Sequence, residues 1–278
     1  MLRAMTEQRT PPNATKADPT EADPTEADSA KAPGSEGNWF GFQPVDPDAK
    51  SGLVRAVFDS VAGRYDLMND LMSGGIHRLW KDTLMEMVAP KADMTLLDVA
   101  GGTGDIAFRF LQRGGGRAIV CDITESMVRV GRDRSFDRGI LSGVNWTVGD
   151  AEKLPFASRS VDAYTLAFGL RNVTRIDAAL SEARRVLKPG GKFFCLEFSH
   201  VVLPVLREAY DLYSFQVLPK LGRVVAGDEA SYRYLAESIR RFPQQEALAK
   251  RIEAAGFGAV RVRNLTGGIA AIHSGWRI

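Results

Sequence analysis

Leu96-Leu97-Asp98-Val99-Ala100-Gly101-Gly102-Thr103-Gly104-Asp105 is the stretch that decides the fold. An apolar run ends in a carboxylate, breaks on glycines and feeds a helix-forming segment at 106–112. Strand, glycine loop and helix in that order make the turn with which α/β proteins hold an adenosine-type cofactor. Gly102-Thr103-Gly104-Asp105-Ile106-Ala107 also fits the dinucleotide fingerprint, with alanine in the last place. The charges oppose a dinucleotide. Asp98 and Asp105 bracket the loop, where a pyrophosphate needs bare N–H groups at a helix N-terminus. A cationic ligand without phosphate suits two carboxylates better, and S-adenosylmethionine, with its sulfonium and ammonium groups, is such a ligand. The loop is therefore expected to bind a methyl donor through Gly102, Thr103 and Gly104.

Working outward, strands and helices alternate. Strands are predicted at 95–99, 118–121, 144–148, 161–168 and 192–198, with a helix at 176–187 that stops at Lys188-Pro189-Gly190-Gly191. A helix-rich insertion follows at about 202–255, then two short strands at 259–264 and 269–274. Upstream, Leu53, Val54, Val57, Phe58 and Val61 recur at helical spacing, a second helix is expected near 76–87, and Trp39-Phe40-Gly41-Phe42 reads as an aromatic latch onto the body. The expected fold class is α/β. It is a Rossmann-like sheet of seven strands, mostly parallel with an antiparallel edge hairpin, helices on both faces and an N-terminal helical cap.

Ligands of such sheets sit beyond the carboxyl ends of the strands. Asp122 follows the second strand, 21 residues after Gly101, the spacing at which a carboxylate takes ribose hydroxyls. Asp150-Ala151 follows the third strand, where a carboxylate and a backbone N–H can read the edge of adenine. Thr103 offers a hydroxyl to the methionine end. A single acidic residue at a strand end is commonly a solvated loop; four markers in register favour a site.

The whole-chain numbers fit a globular enzyme. The 278 residues are 45% hydrophobic and 25% charged, with a net charge of +2, too small to argue for nucleic acid. Cys121 and Cys195 lie in apolar runs without metal-ligand spacing, and the three histidines are scattered, so no metal is expected. No apolar run reaches the 18 or so residues that span a bilayer. The first 38 residues are different material. Four basic against seven acidic side chains leave −3 on them and +5 on the rest, and Pro and Ala dominate. Such a composition predicts a disordered acidic tail that contributes nothing to folding or catalysis, and neither a secretory signal nor a mitochondrial presequence. A bacterial cytoplasmic protein is expected.

Further motifs carry a resemblance. Tyr65-Asp66-Leu67-Met68-Asn69-Asp70-Leu71-Met72-Ser73 with His77 and Trp80, and Arg185-Val186-Leu187-Lys188-Pro189-Gly190-Gly191 through Glu197-Phe198-Ser199, resemble the two signatures of the ubiquinone/menaquinone biosynthesis C-methyltransferases. Phe168-Gly169-Leu170-Arg171-Asn172-Val173 and the stretch from Ser231 to Ile239 are similar to segments typical of them. The resemblance covers 39–278. It implies one methyltransferase domain with a helical cap at 39–92, a cofactor core at 93–200, a substrate lid at 201–256 and closing strands at 257–278. It implies S-adenosylmethionine as donor and S-adenosylhomocysteine as product, with a prenylated quinol, 2-polyprenyl-6-methoxy-1,4-benzoquinol or demethylmenaquinol, as acceptor. Peripheral contact with the inner face of a bacterial membrane goes with a prenyl substrate, and a homodimer or association with other quinone-biosynthesis enzymes is compatible with it. Ala167 departs from relatives that carry Ser there, so a hydroxyl contact from that position is missing.

The chemistry needs no covalent nucleophile. A ring carbon becomes nucleophilic when a neighbouring phenol loses its proton, so the protein must align the reactants, exclude water and favour the phenolate. Arg171 and Asn172, directly after the fourth strand, are the expected catalytic pair; the competing reading makes them a helix entry with a surface ion pair. Tyr65, Asn69 and His77 belong to the cap, His77 being equally readable as a structural histidine. Leu203, Leu206, Tyr210, Tyr213 and Val217 share one helical face, for a membrane or for the sheet. A nicotinamide oxidoreductase would share the glycine fingerprint but should show Tyr-x-x-x-Lys after the fourth strand, and none is present. A non-catalytic quinone-binding subunit would need no intact donor loop.

Overall fold

The computed structural model describes residues 38–62, 65–223 and 229–278. The tail expected over 1–38 therefore lies, Asn38 excepted, outside the described residues. Strands β1 (Trp39–Phe40) and β2 (Gln43–Pro44) form a small hairpin ahead of the cap helices α1 (Pro47–Val61), α2 (Tyr65–Ser73) and α3 (His77–Val88). Asp46 caps α1 by accepting from the Asp48 N–H at 2.8 Å, and Pro47 stands at the first helical position, where a missing N–H costs nothing. The aromatic latch does dock: Phe40 stacks on Tyr234 at 4.2 Å between ring centroids, and the Arg241 guanidinium lies 3.6 Å from that of Trp39.

The core alternates as β3 (Thr95–Val99), α4 (Asp105–Gln112), β4 (Arg117–Asp122), α5 (Glu125–Asp137), β5 (Val144–Val148), β6 (Val161–Ala167), a 3-10 turn (Leu170–Asn172), α6 (Ile176–Val186) and β7 (Leu187–Phe198). The insertion holds α7 (Pro204–Leu212), a π-turn (Tyr213–Val217), α8 (Leu218–Leu221), α9 (Glu229–Arg241) and α10 (Gln245–Ala254). Strands β8 (Phe257–Leu265) and β9 (Ala270–Arg277) close the chain. The seven-stranded sheet runs β5-β4-β3-β6-β7-β9-β8, with β9 antiparallel to both of its neighbours. The chain leaves β3 toward β4 and β5, then returns to place β6 on the other flank of β3. That reversal opens a crevice at the carboxyl ends of β3 and β6.

Near-continuous apolar strands reflect burial on both faces. Leu96 and Leu97 are both fully buried, yet each joins a different core. Leu96 packs with Trp80, Phe198 and Tyr232 under the cap and insertion; Leu97 packs with Tyr164, Phe193 and Leu248 on the opposite face.

Three expectations need correction. The helix predicted to run through 187 ends at Val186, and Leu187 already pairs with Val161. Pro189, without an N–H, and Gly190, at φ +77°, bulge out before Lys192 resumes pairing opposite Ala163. Arg277 Nη1 donates to the carbonyls of Arg184 at 2.7 Å and Arg185 at 2.9 Å, tying the end of α6 to β9. Second, a helix runs on through α7, the π-turn and α8 as expected, but its apolar face divides. Of its apolar face only Leu203 and Val217 are exposed, whereas Leu206, Tyr210 and Tyr213 pack onto the core, and Tyr210 Oη donates to Met72 O at 3.5 Å. Third, the closing strands are longer than predicted. Among the described residues no helix is long and apolar enough to cross a membrane.

Candidate active site

A cleft opens at the carboxyl ends of β3–β6. Gly102 and Asp122 line it, as do Asp150, Ala151 and Asn172, and α1 covers it with Ser51, Val54 and Phe58. The loop beneath is shaped by two glycines. A Cβ on Gly101 would stand 2.7 Å from Asp98 Oδ2 and 2.9 Å from the Asp98 carbonyl, so no larger residue fits. Gly104 holds φ +82°, a conformation that side chains disfavour, and turns the chain into α4.

Asp122 knots this loop. Its Oδ2 accepts from Gly102 N and its Oδ1 from Thr124 N, each at 2.8 Å. Burial pushes its pKa up, and the two backbone N–H groups pull it back. The carboxylate lines the cleft, where it can accept from a ligand hydroxyl. Asp150 Oδ1 accepts from Glu152 N at 2.9 Å, which fixes the turn that presents the Ala151 backbone.

A smaller hollow beside the loop is lined by Lys81, Asp98, Thr103, Asp105 and Ala167. The two bracketing carboxylates part company here. Asp105 is met by Lys81 at 2.9 Å and Arg109 at 3.3 Å, and these cations bring its pKa down to about 2 against the opposing effect of burial. Its charge is spent inside the protein. Asp98 is fully buried, accepts from Thr165 Oγ1 at 2.8 Å through Oδ1, and leaves Oδ2 without a partner among the described residues; burial raises its pKa to about 7. The charge argument for a cationic donor thus rests on Asp98 and Asp122 rather than on Asp105. Thr103 Oγ1 accepts from Arg134 Nη1 at 3.0 Å, and Gly104 serves the turn into α4 rather than lining either hollow.

Strands β3 and β6 both exit through left-handed non-glycine residues, Ala100 at φ +49° and Phe168 at φ +60°. Gly169 makes this possible, since a Cβ there would meet Ala100 Cβ at 2.4 Å. Strain of this kind is kept where the surroundings over-determine it, commonly at sites. Arg171 follows, with its side chain fully buried. Nη1 donates to Glu197 Oε1 at 2.5 Å and to the Phe168 carbonyl at 2.6 Å, while among the described residues Nε and Nη2 have no hydrogen-bond acceptor. The guanidinium is therefore not the partner of a surface acid, nor does it line the donor cleft. Asn172 does line it, and Oδ1 accepts from Tyr234 Oη at 2.9 Å.

Asn69 and His77 are buried in the cap, away from the donor cleft, and among the described residues Asn69 has no partner for either amide atom. Ser73 Oγ donates to Asn69 O at 2.7 Å, so the His77 Nδ1 at 3.0 Å carries a proton and donates to that oxygen. Burial, with Lys81 adding to it, holds the His77 pKa down to about 4. Between pH 6.5 and 4 the unfolded chain thus takes up a proton that the folded imidazole refuses, so this group loses stability as pH falls. Asp98 works in the opposite sense but is shared by wild type and variant. The stability gap between wild type and His77→Asn is expected to shrink from pH 7.5 to 4.5 in thermal melts; a constant gap would mean that folding leaves the proton affinity of the imidazole unchanged.

Sequence reasoning missed several parts. Glu152 accepts from the N–H groups of Thr174 at 3.0 Å and Arg175 at 2.9 Å, and Lys50 Nζ donates to Val173 O at 3.0 Å. Together they clamp the segment after Asn172 under α1. Glu197 stood inside a quoted motif without a role. Val54 and Phe58 were visible as an apolar helix face, but not as a cleft wall.

Comparison with known proteins fits this geometry. The model of the ubiE/COQ5 methyltransferase family matches residues 46–277. A protein of Dinoroseobacter shibae named ubiquinone/menaquinone biosynthesis C-methyltransferase UbiE is 58% identical over 240 residues, 86% of this chain and 96% of that protein. A protein of Paracoccus denitrificans with the same name is 57% identical over the same shares. The crystal structure of a SAM-dependent methyltransferase from Aquifex aeolicus superposes with a TM-score of 0.54 at 17% identity, over 84% of this chain and 100% of that one. At that identity it speaks for the fold alone.

Proposed function

This chain belongs to the ubiE/COQ5 methyltransferase family, and from that premise we propose that it methylates a ring carbon of a prenylated benzoquinol or naphthoquinol in ubiquinone/menaquinone biosynthesis. It is an S-adenosylmethionine-dependent C-methyltransferase; the nicotinamide and non-catalytic alternatives find no support. The observation that carries the site assignment is Asp122, a buried carboxylate that ties the glycine loop and still faces the cleft. The residues present fit the donor. Asp122 would take the ribose hydroxyls, Asp150 and the Ala151 N–H the adenine, and Gly102 and Thr103 the methionine end, with Asp98 Oδ2 complementing positive charge. The bound donor supplies a methyl group on a sulfonium, a good leaving group.

Everything else falls to the acceptor side. Arg171 carries only N–H groups and no acceptor, so it acts as a donor and not as the base. The amide of Asn172, which lines the cleft, and the fixed positive charge of Arg171 behind it favour the quinol oxygen as phenolate, which pushes electron density onto the ring carbon. Titration calorimetry tests the donor, and assays with matched benzoquinol and naphthoquinol acceptors test the reaction. Binding of S-adenosylmethionine but not NAD, with methyl transfer to at least one quinol, is the expected result. NAD binding, or no transfer to either acceptor, would overturn the reading.

The prenyl chain brings the enzyme to a membrane surface. Each methylene withdrawn from lipid costs about 0.8 kcal/mol, so a long chain stays in the bilayer. Leu203 and Val217 of the expected face, with exposed Val202, Leu212 and Phe215 beside them, are the apolar residues available for contact at the inner face of a cytoplasmic membrane. The protein is expected to float with anionic vesicles. A protein that never co-migrates, with or without quinol, would remove this part of the proposal.

A further inference from the structure

Asn172 is the one member of the expected catalytic pair that lines the donor cleft, and its amide can turn either face to a ligand. An amide presenting N–H groups welcomes an anionic oxygen, and one presenting its carbonyl repels it. Tyr234 decides between them. Its ring is buried and stacked on Phe40 with 19° between the planes, and among the described residues its hydroxyl has one hydrogen-bond partner, Asn172 Oδ1 at 2.9 Å. Were the amide reversed, the Tyr234 proton would be left in a dry site with no acceptor, a cost that native structures avoid. Burial also pushes the phenol pKa up, so the hydroxyl keeps its proton. The hydroxyl therefore donates, the Asn172 oxygen is spent on it, and Nδ2 is left for the cleft.

Arg171 is anchored from behind in the same manner. Glu197 and the Phe168 carbonyl take up Nη1, and among the described residues Nε and Nη2 remain without acceptors. The two neighbouring side chains then offer only donors, the complement of an oxyanion.

We propose that Tyr234 is a positioning residue for methyl transfer: by holding Oδ1 of Asn172, it presents the amide nitrogen to the ionised ring oxygen of the acceptor. This rests on the methyltransferase reading above and assigns Tyr234 no contact with either reactant. Tyr234→Phe keeps the ring and its stacking on Phe40 while freeing the amide to turn. At saturating donor and acceptor the variant is expected to lose about tenfold in turnover. The acidic limb of its pH profile should move up by about one pH unit, since a tenfold change in the phenol's ionisation is one pKa unit. The dissociation constant for S-adenosylmethionine and the melting temperature should match wild type, which a merely structural tyrosine would not allow. A variant with wild-type turnover and pH profile overturns the proposal, as does one whose loss of rate is matched by loss of donor affinity or of folding. Failure of the functional reading looks different: the wild type itself would methylate no quinol.

Discussion

Arg171→Ala is expected to lower turnover about a hundredfold, on the order of 3 kcal/mol of transition-state stabilisation, with the donor's dissociation constant nearly unchanged. The guanidinium is argued to act on charge that develops in the acceptor, so the loss belongs to the rate at saturation. Its surroundings add a second effect. Glu197 is buried beside it, and burial already pushes that carboxyl's pKa up against the pull of Arg171. Removing one partner of a buried pair commonly costs about 3–5 kcal/mol of stability, because the other is left uncompensated. The alanine variant should therefore melt earlier as well as turn over slowly. Arg171→Met combined with Glu197→Gln removes both charges and should recover much of the stability but none of the rate. If the double variant regains turnover, or if Arg171→Ala abolishes donor binding and spares the saturated rate, the residue is structural.

Asp122→Ala should weaken S-adenosylmethionine binding by ten- to a hundredfold, about 1.5–3 kcal/mol for a lost charged hydrogen-bond partner. The carboxylate also accepts from Gly102 N and Thr124 N, so the substitution strips two backbone donors and loosens the loop. That places the expected loss at the upper end of the range. Asp122→Asn keeps one acceptor and should fall between wild type and alanine. Calorimetry that finds all three proteins equal would remove Asp122 from the donor site.

Much of this fold was legible because its signals are local. The strands at 95–99 and 144–148 were placed to the residue, since β-branched and apolar runs bounded by turn residues need no distant partner to be recognised. The glycine loop was equally legible: the close approach at Gly101 and the positive φ of Gly104 leave few other residues possible. Boundaries failed where long-range pairing overrode local preference. Leu187 looked like the end of a helix and became the start of β7 because Val161 lay across from it. The apolar face at 203–217 was seen, but half of it found the cap, and periodicity does not say what an apolar face will meet.

By itself the sequence determined the strand–loop–helix unit, the alternation around it and the carboxylates at successive strand ends, all set by turn chemistry and hydrophobic period within a few residues. Only the tertiary structure decided which charges remain available. Asp105 looked like half of a cation site until Lys81 reached it from α3, and the surface ion pair that competed with the catalytic reading of Arg171 fell away once Glu197, 26 residues away, met it inside the fold. Tyr234 gained its place by meeting Asn172 across 62 residues of chain. Desolvation and pairing depend on neighbours in space, and those neighbours exist only once the sheet has closed.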